Sequence, residues 1–364
     1  MVVRTDGGVG RTDCGRSRHR IAAVLVAMSA FFIADGRPFL AQERRDDPKA
    51  PAPKAEQKES SRERAVPAPE VVNAEVLPKQ PADPLDGPPF VTSRVWVIAD
   101  GRTGSVLWGH REAEAVDIAS TTKIMTALVV VRQLAKDPAV RDEVVTFSKR
   151  ADGTIGSTSH VQEGEHLPVH ELLYGLLLPS GNDAAVAFAE HFGGRLNPPS
   201  DSPDQADPLP RFIAEMNRVA DELELHETHF VNPNGLPAAG HRSSARDLAK
   251  LTSHALSQPA FAGVVSTRKH GCTLIDAKGG RRNVVWINTN RLLDTEGYDG
   301  VKTGTTQAAG TCLVASGHRG KDHLIVVVLG GSSSPDSRYA DARNLFRWAW
   351  LTRGNSATDG RAVK

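Results

Sequence analysis

An α+β fold is predicted from three features of this 364-residue chain. β-patterned runs stand at both ends of the globular part, helical periodicities fill its middle, and the two do not alternate as they would in a doubly wound sheet. Strands from the two ends pairing into one antiparallel sheet, flanked by helices and with a helical block inserted between them, satisfies all three. In chain order, Arg94–Ala99 and Ser105–Trp108 read as a hairpin turned by Asp100-Gly101-Arg102-Thr103-Gly104, where glycine supplies a positive φ. Thr121–Leu134 is a strong helical run. Val169–Leu178 and Asn182–His191 read as helices separated by Pro179-Ser180-Gly181, and Arg211–Leu223 and Ser244–Ala255 as amphipathic helices. Gly310–Ser316 and His323–Gly330 are β-rich and densely apolar, as central strands are. Arg338–Leu351 closes as an amphipathic helix carrying Leu345, Phe346, Trp348 and Trp350.

What precedes this region differs in composition. Arg11, Arg16, Arg18 and Arg20 stand before the uninterrupted apolar stretch Ile21–Ala34. A basic start followed by about 14 apolar residues matches an export signal better than a spanning helix, which needs roughly 20. Residues 1–41 are therefore expected to be an export signal or an N-terminal anchor, with the rest of the chain delivered outside the cytoplasm. Residues 42–89 hold ten of the 23 prolines among dense charge, and read as a disordered tether that cannot bury enough surface to fold. The catalytic domain is expected over 90–352 and a polar tail over 353–364.

Composition removes several function classes. With 44 Lys+Arg against 43 Asp+Glu, the net charge of +1 provides no global pull toward nucleic acid. Three cysteines exclude a disulfide-stapled scaffold and a four-Cys zinc module. The exported compartment permits a bridge between Cys272 and Cys312. Apolar residues make up 40%, enough for a sizeable core.

Three short elements carry the chemistry: Ser120-Thr121-Thr122-Lys123, Ser180-Gly181-Asn182 and Lys302-Thr303-Gly304. Each is weak alone. An S-x-x-K occurs about once or twice by chance in a chain this long, and Ser266-Thr267-Arg268-Lys269 is read as such a decoy, in a strand-to-turn stretch with no helix to organise it. Order and context give the three their weight. Ser120 opens a helix, Ser180-Gly181-Asn182 joins two helices, and Lys302-Thr303-Gly304 precedes the C-terminal strands. A serine hydroxyl needs a base to become a nucleophile. Lys123, one turn on, shares its helix face, and acts as base only if desolvation or a second cation such as Lys302 lowers its pKa.

In these elements the chain resembles the low-molecular-mass D-alanyl-D-alanine carboxypeptidases, the penicillin-binding serine peptidases that include murein DD-endopeptidases. The resemblance runs from about Val91 to Leu351. It extends to Ile124-Met125-Thr126, Asp183-Ala184-Ala185, Asn232-Pro233-Asn234-Gly235-Leu236 and Asp299-Gly300-Val301. It implies the β-lactamase/penicillin-binding-protein transpeptidase-like fold and a serine acyl-enzyme acting on peptidoglycan stem peptides, with β-lactam antibiotics as inhibitors. No metal or cofactor is implied. Ser120 would be the nucleophile, Lys123 its base and Ser180 the relay to the leaving amine. Asn182 would hold the substrate's backbone carbonyl. Lys302 and Thr303 would meet the terminal carboxylate, Gly304 would admit the substrate backbone, and Ser120 and Thr305 N–H groups would form the oxyanion hole. Arg338 matches, by its spacing to Arg343-Asn344-Leu345-Phe346, an arginine that assists carboxylate recognition.

Competing readings have less support. Ser180 and Asn182 are also good helix caps, and Asp183 reads as a first-turn helix charge. His166/His170 and His226/His229 have chelating spacings, but no H-E-x-x-H accompanies them. A class A-like β-lactamase would need a deacylating E-x-x-L-N, which Glu222-Leu223-Glu224-Leu225-His226 does not supply. A silent binding protein would have less reason to keep Ser120, Lys123, Ser180, Asn182 and Lys302 together. Many members of the resembled family carry a C-terminal β-rich domain and amphipathic anchor. Here only a polar tail follows the last helix, so endopeptidase-like members are equally good guides, and any membrane tethering is expected of the N-terminal segment.

Overall fold

The computed structural model describes residues 87–197, 206–331, 334 and 336–358. The export segment, the tether up to residue 86 and the end of the tail beyond 358 lie outside the described residues, while residues 353–358, expected in the polar tail, continue the last helix. Strands β1 (Val95–Asp100) and β2 (Val106–His110) come first, and a 3-10 turn, Ala119–Thr122, runs directly into α1 (Lys123–Lys136). Then follow β3 (Val144–Thr146), α2 (Lys149–Asp152), β4 (His166–Pro168), α3 (Val169–Leu177), α4 (Asn182–Gly193), α5 (Pro208–Glu222), α6 (Ala245–Leu256) and α7 (Pro259–Val265). The chain returns through β5 (Lys269–Ile275), β6 (Arg281–Ile287), β7 (Tyr298–Thr306), β8 (Gly310–Arg319) and β9 (Asp322–Gly331), and α8 (Ser337–Thr358) closes it.

Strands from the two ends do form one antiparallel sheet, in the order β2-β1-β9-β8-β7. Period-two alternation divides its side chains between two cores. Val95, Val97, Val314, Ile325 and Val327 join the core of the helical block, whereas Trp96, Ile98, Leu313, Ala315, Val326 and Val328 meet Tyr339, Leu345, Phe346 and Ala349 of α8. Cover on both faces is why β9 is apolar at nearly every position. α5 starts on an Asp207 cap, whose carboxylate accepts from Leu209 N at 3.0 Å with Pro208 at the first helical position. α6 starts on Ser244, whose Oγ accepts from Asp247 N at 3.1 Å.

Three features depart from the sequence reading. A second sheet, β3-β4-β5-β6, lies beside the helices; its β5–β6 hairpin buries only Cys272, Leu274, Val284 and Trp286, and the exposed Val285 and Ile287 between and after them blur the polar–apolar alternation that would register as strands. Lys302-Thr303-Gly304, ahead of β8 and β9 as expected, itself lies within a further strand, β7, at the edge of the main sheet. Cys272 and Cys312 are both free thiols, buried in different sheets. The decoy separates as well: Ser266 ends α7, its Oγ donating to Ala262 O at 2.9 Å, and Lys269 begins β5.

Candidate active site

The turn that carries Ser120 is tied by its own hydroxyls. Thr121 Oγ1 donates to Ile118 O at 2.7 Å and Thr122 Oγ1 to Ala119 O at 2.8 Å. Ala119 takes a left-handed φ of 47°, a strained conformation for a residue with a Cβ. The turn is held from outside by Gly235, at φ 86°, where a Cβ would come within 2.0 Å of Ala119 O and 2.9 Å of Ser120 N. In a 3-10 turn, residues three apart eclipse one another. Ser120 and Lys123 therefore stack, more directly than a regular helix would bring them, and Lys123 Nζ lies 3.0 Å from Ser120 Oγ.

Lys123 is fully buried. Its Nζ also donates to Asn182 Oδ1 and to Asn234 O, both at 2.6 Å, so its three hydrogens have three acceptors. Burial pushes its pKa well below the ordinary lysine value, the Lys302 ammonium pushes the same way, and the Asp183 carboxylate opposes both. A lysine so placed reaches the neutral amine that can take a proton from Ser120.

Asn182 meets Lys123 from the first position of α4, and Ser180 lies two residues before it in the α3–α4 connection. Ser180 has φ 70° and a buried Oγ with no hydrogen-bond partner. The capping alternative fails for both: α4 has Gly181 at its N-cap with no side-chain cap bond, and Asn182 Nδ2 donates to Ile155 O at 2.7 Å. Asp183 is a first-turn charge of α4, as expected, but a buried one. It is 1% exposed and accepts from Thr158 Oγ1, Ser159 N, Ser159 Oγ and Ala184 N, fixing the segment before α3 to the start of α4.

The opposite wall is β7. Lys302 is buried, and its Nζ donates to Thr303 O at 2.9 Å. Burial, with the Arg338 guanidinium nearby, lowers its pKa to about 7. Thr303 Oγ1 lies 2.7 Å from Thr289 Oγ1, while Thr305 is exposed. Gly304 admits a neighbour other than the one expected: a Cβ there would lie 3.0 Å from Ser120 N and 3.1 Å from Ile118 O, so the glycine lets β7 close against the nucleophile's own turn. Arg338 is buried at the start of α8, and its Nη1 donates to Gly304 O and Thr305 Oγ1, each at 3.0 Å. Its contact to β7 is thus to the strand itself.

Sequence reasoning passed over three supports. Asn234 O, an acceptor for Lys123, sits in a stretch noted only for its resemblance. Thr289 lies under Thr303. His241 is buried, with Nδ1 accepting from Val231 N at 3.1 Å and Nε2 lying 2.8 Å from Thr122 Oγ1. Burial lowers its pKa to about 4, so it is neutral and its Nε2–H donates to Thr122. Nothing local marks a lone histidine 119 residues away as a prop for the nucleophile turn.

A Ser-x-x-Lys turn facing a Ser-x-Asn loop and a Lys-Thr-Gly edge strand, on a sheet with an inserted helical block, defines the penicillin-interacting class of active-site serine proteins. Comparison with known proteins narrows the class. The family model described as D-alanyl-D-alanine carboxypeptidase matches residues 83–333, and the chain belongs to that family. It is 34% identical over 268 residues to the D-alanyl-D-alanine carboxypeptidase DacD of Salmonella typhimurium, covering 72% of this chain and 63% of that one. With DacF of Bacillus subtilis identity is 35% over 259 residues, covering 70% and 61%. The chain thus matches under two thirds of the length of these relatives. The D-alanyl-D-alanine carboxypeptidase of Streptomyces sp. strain K15 is 34% identical over 76% of this chain and 93% of its own. The crystal structure of the Streptomyces K15 DD-transpeptidase superposes with a TM-score of 0.66 at 33% identity, covering 73% of this chain and 99% of that one.

Proposed function

We propose that this chain is a serine D-alanyl-D-alanine carboxypeptidase that cleaves peptidoglycan stem peptides through an acyl-enzyme, and that β-lactams acylate the same serine. The observation that carries the proposal is the buried Lys123 Nζ, 3.0 Å from Ser120 Oγ and held below its ordinary pKa. Neutral Lys123 takes the Ser120 proton as Oγ attacks the carbonyl of the penultimate D-alanine. The backbone N–H groups of Ser120 and Thr305 receive the oxyanion. The proton passes by way of the unpartnered Ser180 hydroxyl to the leaving amine, and terminal D-alanine departs. Water then attacks the ester, giving a proton to Lys123; as the ester C–Oγ bond breaks, Lys123 returns that proton to Ser120 Oγ and the shortened peptide leaves with its new carboxylate. Lys302 and Thr303 meet the terminal carboxylate, Arg338 steadies their strand, and the second Nδ2 hydrogen of Asn182 serves the substrate backbone.

The test is mass spectrometry of muropeptides incubated with the protein. Loss of one terminal alanine from monomers is expected; cleavage of cross-linked dimers instead would reassign it as a DD-endopeptidase. Ser120→Ala should abolish labelling by a fluorescent penicillin with the fold intact, and undiminished labelling would remove Ser120 from its role. We also place the protein outside the cytoplasm, on the basic-then-apolar order of residues 11–34. Cell fractionation that recovers it with cytoplasmic markers would refute that placement.

A further inference from the structure

The structure points to a second site, unrelated to acyl transfer, at the far end of the main sheet: we propose that Asp299, His318 and His323 bind a divalent first-row transition-metal ion, with Zn²⁺ as its representative. One ligand atom from each of the three falls within 4.8 Å of the others, and among the described residues this is the one group of three His, Cys, Asp or Glu side chains that converges in this way. They come from three adjacent strands, β7, β8 and β9. His318 and His323 are direct partners across the β8–β9 hairpin, so both imidazoles leave the same face, stacked at 4.0 Å and 12°.

The cluster is held as a ligand set needs to be. His318 Nδ1 lies 2.5 Å from Asp299 Oδ2, and the same oxygen accepts from the buried Ser316 Oγ at 3.3 Å. Ser316 Oγ also lies 2.8 Å from His323 Nε2. Gly101 packs on the His323 ring, where a Cβ would come within 2.3 Å, and Gly101 N donates to His323 O at 2.8 Å. Strand pairing and these contacts therefore hold the three side chains together before any ion arrives, and an ion would take the place of the His318–Asp299 hydrogen bond, which joins two of the ligands. Zn²⁺ binds imidazole nitrogen and carboxylate oxygen at about 2.0–2.2 Å, so ligand atoms in a tetrahedral site lie about 3.3 Å apart. Small rotations of half-exposed side chains close the remaining gap, and water completes the shell. Two imidazoles and one carboxylate suit Zn²⁺, Cu²⁺ or Ni²⁺ better than Mg²⁺ or Ca²⁺, which prefer all-oxygen shells. Among the described residues, the histidine pairs that stood out by sequence spacing, His166/His170 and His226/His229, do not converge with a third ligand.

The experiment is titration of the full chain, stripped with chelator, with Zn²⁺ by calorimetry. One equivalent is expected, with a rise in Tm on saturation. His318→Ala and Asp299→Asn should each weaken binding at least tenfold and remove the rise. Because His318 is exposed, its replacement tests the ligand set without opening the core. Absence of saturable binding, or affinity within twofold of the parent in both variants, overturns the site; the second result would assign the ion to other histidines. Loss of penicillin labelling in Ser120→Ala leaves Zn²⁺ binding unchanged, so the two proposals stand or fall separately.

Discussion

Lys123 and Lys302 are both buried, yet the two walls of the cleft surround them differently. The helical wall places three oxygen acceptors within 3.0 Å of Lys123 Nζ, whereas the strand wall offers Lys302 Nζ one, the Thr303 carbonyl at 2.9 Å. A buried ammonium with spare donors is expensive unless an anion arrives. The helical wall thus satisfies its lysine in full, leaving only the Ser180 hydroxyl without a partner, and on the proposed function it holds a nucleophile with its base. On the proposed function, the strand wall is completed by the substrate's carboxylate. Rigidity and incompleteness are divided between the walls, one serving bond-making and the other recognition.

The largest expected effect tests that division directly. Lys123→Met should slow acylation by a fluorescent penicillin by about 10²–10⁴-fold, the usual worth of a general base. Lys302→Met should weaken peptide binding more than it slows acylation. A Lys123 effect below tenfold in stopped-flow labelling would break the comparison. Next comes acid. His241, with a folded pKa of about 4 against an unfolded value near 6.5, binds fewer protons folded than unfolded between those pH values. Stability therefore falls as pH drops from 6.5 to 4, by on the order of 3 kcal/mol, and His241→Gln should flatten that part of the urea-unfolding profile.

Two glycines sharpen the contrast at smaller cost. Gly235→Ala drives a Cβ within 2.0 Å of the Ala119 carbonyl at a φ of 86°, and should destabilise by roughly 2–3 kcal/mol while disordering the nucleophile turn. Gly304→Ala meets its nearest atoms at 3.0 Å, and should cost about 1–2 kcal/mol with a slowed acylation. Equal losses in thermal melts would mean that the turn is not held more tightly from the Gly235 side. The smallest effect is alkaline. With Lys302 lowered to about 7, its charge in the free protein is lost above that pH, so KM for a carboxylate-ended peptide should rise at most about tenfold per pH unit. Stability moves the other way, rising from about pH 7 toward the unfolded lysine value because the unfolded chain holds the extra proton. A KM flat from pH 7 to 9 would detach Lys302 from the carboxylate.

Much of the frame was legible because its signals are local. The runs that became β1, β8, β9, α3 and α4 were placed within a few residues by alternation and helical spacing. The β5–β6 hairpin was not, since it is short on buried positions and the exposed Val285 and Ile287 put apolar residues on both faces of β6, which hides the period of two. β7 was missed as a strand because glycine and lysine are poor strand formers, and its place at the sheet edge is a property of pairing with β8.

The sequence by itself determined the chemical types at the site and the one short-range geometry within it, the three-residue step from Ser120 to Lys123. Tertiary structure alone decided what those groups can do. Asn182, Asn234 and Lys302 lie 59, 111 and 179 residues from Lys123, and His241 lies 119 residues from Thr122, so no local window holds them together, and Lys123 loses its water only when such distant segments pack around it. A pKa depends on every atom that displaces solvent around a charge, and that shell is assembled only when the whole chain folds.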